Sequence, residues 1–240
     1  MSGHSKWSTI KRQKGKTDAA RAKVFTKIGR EMTVSVKMGG AEPANNSRLR
    51  DAIAKARAAN MPNDVIQRCI KRAAGETDSA NYESVVYEGY GINGVAVIVE
   101  TLTDNRNRTG GEVRHIFDKY GGGLGATGCV SYMFDTKGVM RVDKSTVKLD
   151  EDDFVMACLE YDVLDVVSEN DEYVIYTTQA SFSSVRESLA TQGYTFVSAQ
   201  VDRIPNITAT LDDEALARFE QMLDKFEDND DVQEVYYNLE

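Results

Sequence analysis

Apolar residues recur at helical spacing through the first third of the chain. A first helix is predicted over residues 19–38, where the apolar positions lie four apart and share one face: Val24, Ile28, Met32 and Val36. A second helix is predicted near residues 47–59, and a third begins just after Pro62 and ends near Gly75. The pattern therefore predicts a small three-helix domain.

Beyond residue 80 the spacing changes to that of strands. Two runs rich in β-branched and aromatic residues, 84–90 and 94–102, are joined by Gly-Ile-Asn-Gly, which predicts a hairpin. A helix is expected around residues 113–120, because its apolar residues return to helical spacing before a glycine run ends it. Residues 129–134 are predicted to form a strand, so the order of this unit is strand, strand, helix, strand.

The next part of the chain alternates more regularly. Strands and helices are predicted in the order βαββαβ at residues 138–142, 151–160, 163–167, 173–177, 181–190 and 195–201. This order is the ferredoxin-like arrangement, in which two helices cover one face of an antiparallel sheet. A last helix at 212–226 and a last strand at 232–237 are too small to fold alone. We expect them to complete the sheet that begins at Ser84.

Together these elements predict an α+β protein with an N-terminal three-helix domain and two α/β domains, at least one of them ferredoxin-like. The first predicted unit, residues 1–75, holds a basic arm and the helical domain. A discontinuous α/β domain takes residues 80–135 and 206–240, and the ferredoxin-like domain takes residues 136–205.

Charge divides the chain at the end of the predicted helical domain. Residues 1–75 hold 17 Lys and Arg against 5 Asp and Glu, a balance of +12. The remainder holds 12 against 33, a balance of −21, and the whole chain has a net charge of −9. A cationic module on an anionic body favours contact with a polyphosphate at one end. The alternative is that the two parts neutralise each other within the protein.

The composition argues against several other classes of protein. The apolar runs are far shorter than the roughly 18–20 residues that span a bilayer, and three separated cysteines suit a reducing cytosol. The two histidines, His4 and His115, have no Cys, Ser or Asp at a catalytic spacing, and the cysteines and histidines do not cluster. We expect a soluble cytoplasmic protein, more readily a monomer than an obligate oligomer, with no enzymatic activity, cofactor or metal.

A glycine-rich segment at residues 121–128 invites comparison with a phosphate-binding loop. It lacks the Gly-Lys-Ser/Thr ending, and it follows a predicted helix and precedes a predicted strand, the reverse of the nucleotide-binding order. We interpret it as a helix stop followed by a flexible connection.

The candidate phosphate contacts form two zones. The first zone is the arm and the first helix, with Lys6, Lys11, Arg12, Lys14, Lys16, Arg21, Lys23, Lys27 and Arg30. The second zone consists of Arg48, Arg50, Arg106 and Arg108. Lys and Arg bind phosphate through counterion release, without reading sequence. Trp7 stacks on a base or packs the arm onto the helices.

The segment containing Arg106 and Arg108 allows two interpretations. It lies between a strand and a helix start, where backbone N–H groups favour anions and arginines add planar donors. Alternatively, an Asn or Thr of this segment only caps the helix, while the arginines pair with acids of their own domain.

Several motifs, spread from residue 3 to residue 238, resemble one family. They include Gly3-His4-Ser5-Lys6-Trp7, Asn46-Ser47-Arg48-Leu49-Arg50, Asn60-Met61-Pro62, Tyr87-Glu88-Gly89-Tyr90-Gly91 and the run Leu102–Thr109. Through these motifs the chain resembles the YebC family. The resemblance implies three domains around a cleft and a non-enzymatic factor that contacts nucleic acid. The family is commonly labelled a DNA-binding transcriptional regulator, but a mitochondrial relative activates translation and bacterial members are linked to ribosomes stalled on proline-rich sequences.

The nature of the target stays open between promoter DNA and ribosomal RNA. No dimerising heptad and no helix-turn-helix recognition helix stands out in the sequence, which favours RNA on the ribosome. The acidic remainder also repels a duplex that lies along it. A rival from another class is a protein–protein adaptor whose acidic domains engage a basic partner.

Overall fold

A computed structural model of the chain describes residues 18–75 and 81–239. The predicted basic arm, with Lys6, Trp7, Lys11, Arg12, Lys14 and Lys16, lies outside the described residues.

Three helices form the N-terminal domain, as the apolar spacing predicts: α1 (Asp18–Gly39), α2 (Ser47–Ala58) and α3 (Asn63–Gly75). Their apolar faces enclose one core that includes Met32, Leu49 and Ile66. The buried side chain of Asn46 joins the first two helices. Its Oδ1 accepts from Leu49 N and caps α2, and its Nδ2 donates to the carbonyls of Ser35 and Gly40.

The first α/β unit consists of β1 (Glu83–Tyr90), β2 (Ala96–Thr103), α4 (Arg106–Lys119), β3 (Gly123–Leu124), α7 (Asp213–Asp228) and β8 (Val232–Tyr237). Its strands form one antiparallel sheet in the order β3-β1-β2-β8. In the predicted hairpin between β1 and β2, Asn93 and Gly94 take positive φ angles. The last strand, β8, pairs with β2. The two helices cover one face of the sheet, where Val97, Phe117 and Phe226 are fully buried.

The predicted strand at residues 129–134 is wrong. Ser131–Met133 form a single 3-10 turn, and the next strand begins only at Phe134. Backbone N–H groups of this segment donate to the Glu88 carboxylate instead of to a neighbouring strand. Val130 and Phe134 are apolar because they pack on the helix-free face of the sheet.

The second α/β unit has the predicted βαββαβ order. It consists of β4 (Phe134–Asp143), α5 (Glu151–Leu159), β5 (Val163–Ser168), β6 (Glu172–Thr178), α6 (Phe182–Thr191) and β7 (Phe196–Pro205). The strand order β5-β6-β4-β7 is antiparallel throughout and ferredoxin-like. The first and the last strand of this unit, predicted at 138–142 and 195–201, are both longer than expected. Gly138 lies mid-strand because a Cβ there would overlap Thr177 and Phe182.

The α+β class, with a helical region followed by two α/β parts, is confirmed. The division at residues 75, 135 and 205 and the arrangement around a cleft stay predictions. None of the described helices is long and apolar enough to cross a membrane.

Candidate nucleic-acid interface

One face of α1 contacts the end of α7 and the turn that follows it. Lys23, Lys27 and Arg30 fall at helical spacing on that face. Lys23 Nζ lies 2.8 Å from Asp228 Oδ1, and Lys27 Nζ donates to the Glu227 carbonyl at 3.0 Å. The Lys23 pair is half exposed on both sides and contributes little stability. These cations, which the sequence assigns to phosphate, face acidic residues of the same chain.

Arg30 forms the buried part of this contact through Asp231. Its guanidinium donates to Asp231 Oδ1 at 2.6 Å and to the Asp230 carbonyl at 2.7 Å. The Asp231 side chain is only 5% exposed. Its other oxygen accepts from Arg108 at 2.8 Å, Thr109 at 2.6 Å and Thr103 at 3.1 Å. One carboxylate therefore joins α1, β2 and α4.

The protonation of Asp231 reflects these donors. Burial raises the pKa of a carboxyl group, but the hydrogen bonds from Arg108, Thr109 and Arg30 outweigh burial and hold the pKa of Asp231 at about 2. The carboxylate is thus charged at every physiological pH.

We expect the stability contributed by Asp231 to depend on pH in the acid range. Because the folded pKa of about 2 lies below the ordinary value of 3.8, this contribution, about 2 kcal/mol, is complete above roughly pH 5 and declines as pH falls towards 2. Urea unfolding of the wild type and Asp231→Asn at pH 7 and pH 3 measures it. The difference between the two proteins should fall by about half at pH 3. A difference that does not change with pH would contradict the assignment.

Three glutamates project from the helix-free face of the sheet β3-β1-β2-β8, which we call the middle sheet, and each holds a different part of the chain. Glu88 accepts backbone N–H groups from the segment 128–131. Glu100 accepts from Arg203 of β7 at 2.8 Å, and Glu234 accepts from Lys55 of α2 at 3.1 Å. The face with these carboxylates thus contacts both of the other units.

Lys55 is held between two carboxylates. Its Nζ lies 3.1 Å from Glu234 and 3.5 Å from Glu31. Burial lowers the pKa of a lysine, but the two negative charges outweigh burial and raise the pKa of Lys55 above its ordinary value. This lysine is a structural cation between the helical domain and the middle sheet.

A second interdomain contact joins α2 to α6. Arg186, buried on α6, lies 2.8 Å from Asp51, which also accepts from Ser183 at 2.9 Å. Arg50 donates to Glu187 at 2.7 Å. Arg50, a predicted phosphate contact, therefore lies in a junction between domains.

The remaining predicted contacts are exposed: Arg21, Arg48 and Arg106. Arg48 contacts the Met38 sulfur at 3.2 Å. Arg106 begins α4, while the Asn105 side chain caps that helix by accepting from Arg108 N. Arg108 pairs with Asp104 and Asp231, as the second interpretation expects, whereas the exposed Arg106 stays a predicted phosphate contact.

Sequence reasoning missed the residues that join the domains, notably Lys55, Glu100, Glu234 and Asp231. One signal was available: Glu100 is a single carboxylate inside an apolar strand, where alternation alone does not explain a charge.

The end of the glycine-rich segment and the residues that follow it bind a buried carboxylate. Glu88 is 4% exposed and accepts from Gly128, Val130 and Ser131 at 2.8–3.0 Å. Although burial raises its pKa, these backbone donors lower it below the ordinary value. These N–H groups are therefore bound to a carboxylate of the same chain. The segment is a connection, as interpreted, but Gly123 and Leu124 pair with β1 as strand β3, which the expected flexible connection did not include.

Comparison with known proteins covers almost the whole chain. The model of the TACO1/YebC protein N-terminal domain matches residues 5–76, and that of the TACO1/YebC second and third domain matches residues 82–239. A "Probable transcriptional regulatory protein" of Acetivibrio thermocellus is 57% identical over 239 residues, covering 99% of this chain and 98% of the relative. A relative of the same name from Caldicellulosiruptor saccharolyticus is 55% identical over 241 residues, covering 100% and 99%.

A solved structure shows the same architecture. The crystal structure of a conserved hypothetical protein, Aq1575 from Aquifex aeolicus, is 42% identical, with a TM-score of 0.81 over 93% of this chain and 91% of that one. Given these matches in sequence and in structure, the chain belongs to the TACO1/YebC family.

Proposed function

We propose that the protein is a non-enzymatic, cytoplasmic and monomeric regulator of gene expression that binds nucleic acid through its basic N-terminal part. Charge density carries the proposal, because residues 6–16 hold five cationic side chains and no acidic one. By contrast, several cations of α1 and α2 already have partners in the α/β domains. Among the described residues, internal neutralisation thus accounts for part of the charge split.

The proposed contacts therefore divide by role. The arm residues bind the phosphate backbone together with the exposed arginines of the described part: Lys6, Lys11, Arg12, Lys14, Lys16, Arg21, Arg48 and Arg106. Trp7 stacks on a base at the same end. Lys23, Lys27, Arg30 and Arg50 primarily hold the domains together, and Arg108 pairs with Asp104 and Asp231 of its own unit.

RNA on the ribosome is a second candidate target. It is favoured by the attachment of the helical domain to an acidic body through Asp231, Glu234 and Arg186. A long duplex lying across the molecule meets repulsion from that body, whereas a folded RNA is reached by the basic end alone. Sedimentation with ribosomes, compared with promoter footprinting, separates the two targets.

Reversing the charge of the arm should weaken binding to nucleic acid. The triple variant Lys11→Glu, Arg12→Glu and Lys14→Glu removes three phosphate contacts and adds repulsion, so we expect affinity for a duplex DNA and an RNA hairpin to fall by at least about tenfold. Filter binding over a salt series measures this. The matched control reverses three exposed cations of the α/β domains, Lys119, Lys148 and Arg218. Equal affinity of the two variants would show that the arm is not the contact, and a wild type without salt-sensitive binding would overturn the proposed function.

A further inference from the structure

Helix α3 carries three cations on the side that faces away from the core of the helical domain. Its apolar face, with Ile66, Ile70 and Ala73, is buried in the helical domain. The exposed cations Arg68, Lys71 and Arg72 lie on the opposite side, three and four positions apart. Residues at this spacing are neighbours on a helix, with Cβ atoms about 5–6 Å apart. We call these three residues the α3 stripe.

One ion pair within α3, between Arg68 and Asp64, is weak. Arg68 lies 3.1 Å from Asp64, one turn earlier, and the two side chains are 73% and 69% exposed. An exposed pair of this kind contributes only about 0.3–0.5 kcal/mol. A phosphate group can therefore replace Asp64 as the partner of Arg68 with little loss.

The α3 stripe differs in position from the cations of the other two helices. The interdomain contacts described above come from α1 and α2, through Arg30, Arg50 and Lys55. Helix α3 packs on α1, and Cys69 lies beside Gly29 there. The stripe projects from the other side of α3, towards solvent.

We propose that the α3 stripe is a second contact for the sugar–phosphate backbone of DNA or RNA. This inference rests on the proposed function and adds a surface that the arm does not provide. The three side chains are long and exposed, and two of them are guanidinium groups suited to phosphate oxygens. Contacts of this type position a nucleic acid and do not read its sequence.

The test removes the three charges and compares the result with a matched control. The stripe variant is Arg68→Gln, Lys71→Gln and Arg72→Gln, and the control is Lys119→Gln, Lys148→Gln and Arg218→Gln, which changes the net charge equally. Binding of the full chain to a 20-base-pair DNA duplex and to an RNA hairpin is measured over a salt series. Because Arg72 lies in the last turn of α3, circular dichroism and urea unfolding verify that each variant is folded. A third variant, Arg68→Lys, Lys71→Arg and Arg72→Lys, keeps the charges.

We expect the stripe variant to bind about tenfold more weakly at 100 mM salt, with the slope of log K against log salt reduced by about 0.9 for each lost duplex contact. The control and the charge-conserving variant should bind like the wild type. A loss on DNA alone or RNA alone identifies which nucleic acid uses the stripe.

Two results would overturn the inference, and they have different meanings. Equal binding by the stripe variant and the control removes the α3 contact but leaves the proposed function in place. A wild type with no salt-sensitive binding to either probe removes both.

Discussion

Replacing Asp231 with alanine is expected to lower the free energy of unfolding by about 3–5 kcal/mol, the usual effect of removing one partner of a buried ion pair. Four donors lose their acceptor in this variant. Arg30 and Arg108 lose a carboxylate, and the hydroxyl groups of Thr103 and Thr109, both fully buried, lose a hydrogen-bond partner. Urea denaturation at pH 7, followed by circular dichroism, measures the change.

Asp230 supplies the matched control, because it is the adjacent residue with the same side chain. Its carboxylate is exposed, and Arg30 contacts only its backbone carbonyl, which a substitution retains. Asp230→Ala should change stability by no more than about 0.5 kcal/mol. Similar losses in the two variants would mean that net charge, and not the buried contact, determines the effect.

Replacing Glu88 with alanine is expected to lower the free energy of unfolding by about 3 kcal/mol, since buried N–H groups left without an acceptor are unfavourable. The carboxylate is the common acceptor for Gly128, Val130 and Ser131, and it holds that segment against the middle sheet. We expect the segment to detach locally, with faster amide hydrogen exchange at these three residues than in the rest of the unit.

Glu83→Ala is the control for this change, because Glu83 lies on the same strand and is exposed. Its stability should remain close to that of the wild type. Unchanged hydrogen exchange at residues 128–131 in Glu88→Ala would contradict the role of the carboxylate as their anchor.

Much of the fold follows from local pattern. The helices of the N-terminal domain and the βαββαβ order of the second α/β unit were predictable because each element has a clear periodicity of its own. The segment 129–134 was not predictable from its pattern. Its apolar residues pack on a sheet face, and its N–H groups bind a carboxylate about 40 residues away in sequence.

The roles of the candidate cations were harder to predict from the sequence than the fold. Arg30 and its partner Asp231 are 201 residues apart in the chain, and Lys55 and Glu234 are 179 apart. Charge counts indicate that a region is basic, but they do not indicate which of its charges already have a partner. The five cations of the arm lie outside the described residues, so the charge count is the only observation behind their predicted contact with phosphate.

The carboxylates that receive Lys55, Lys23 and Arg30 have a practical consequence for experiments on fragments. A truncated protein such as residues 1–75 leaves these carboxylates behind, because all of them except Glu31 lie beyond residue 225. The fragment thus presents to solvent a cationic surface that the intact protein covers. The affinity of such a fragment for nucleic acid would include binding by a surface that contacts the α/β domains in the intact protein. Specificity is therefore best measured with the whole chain.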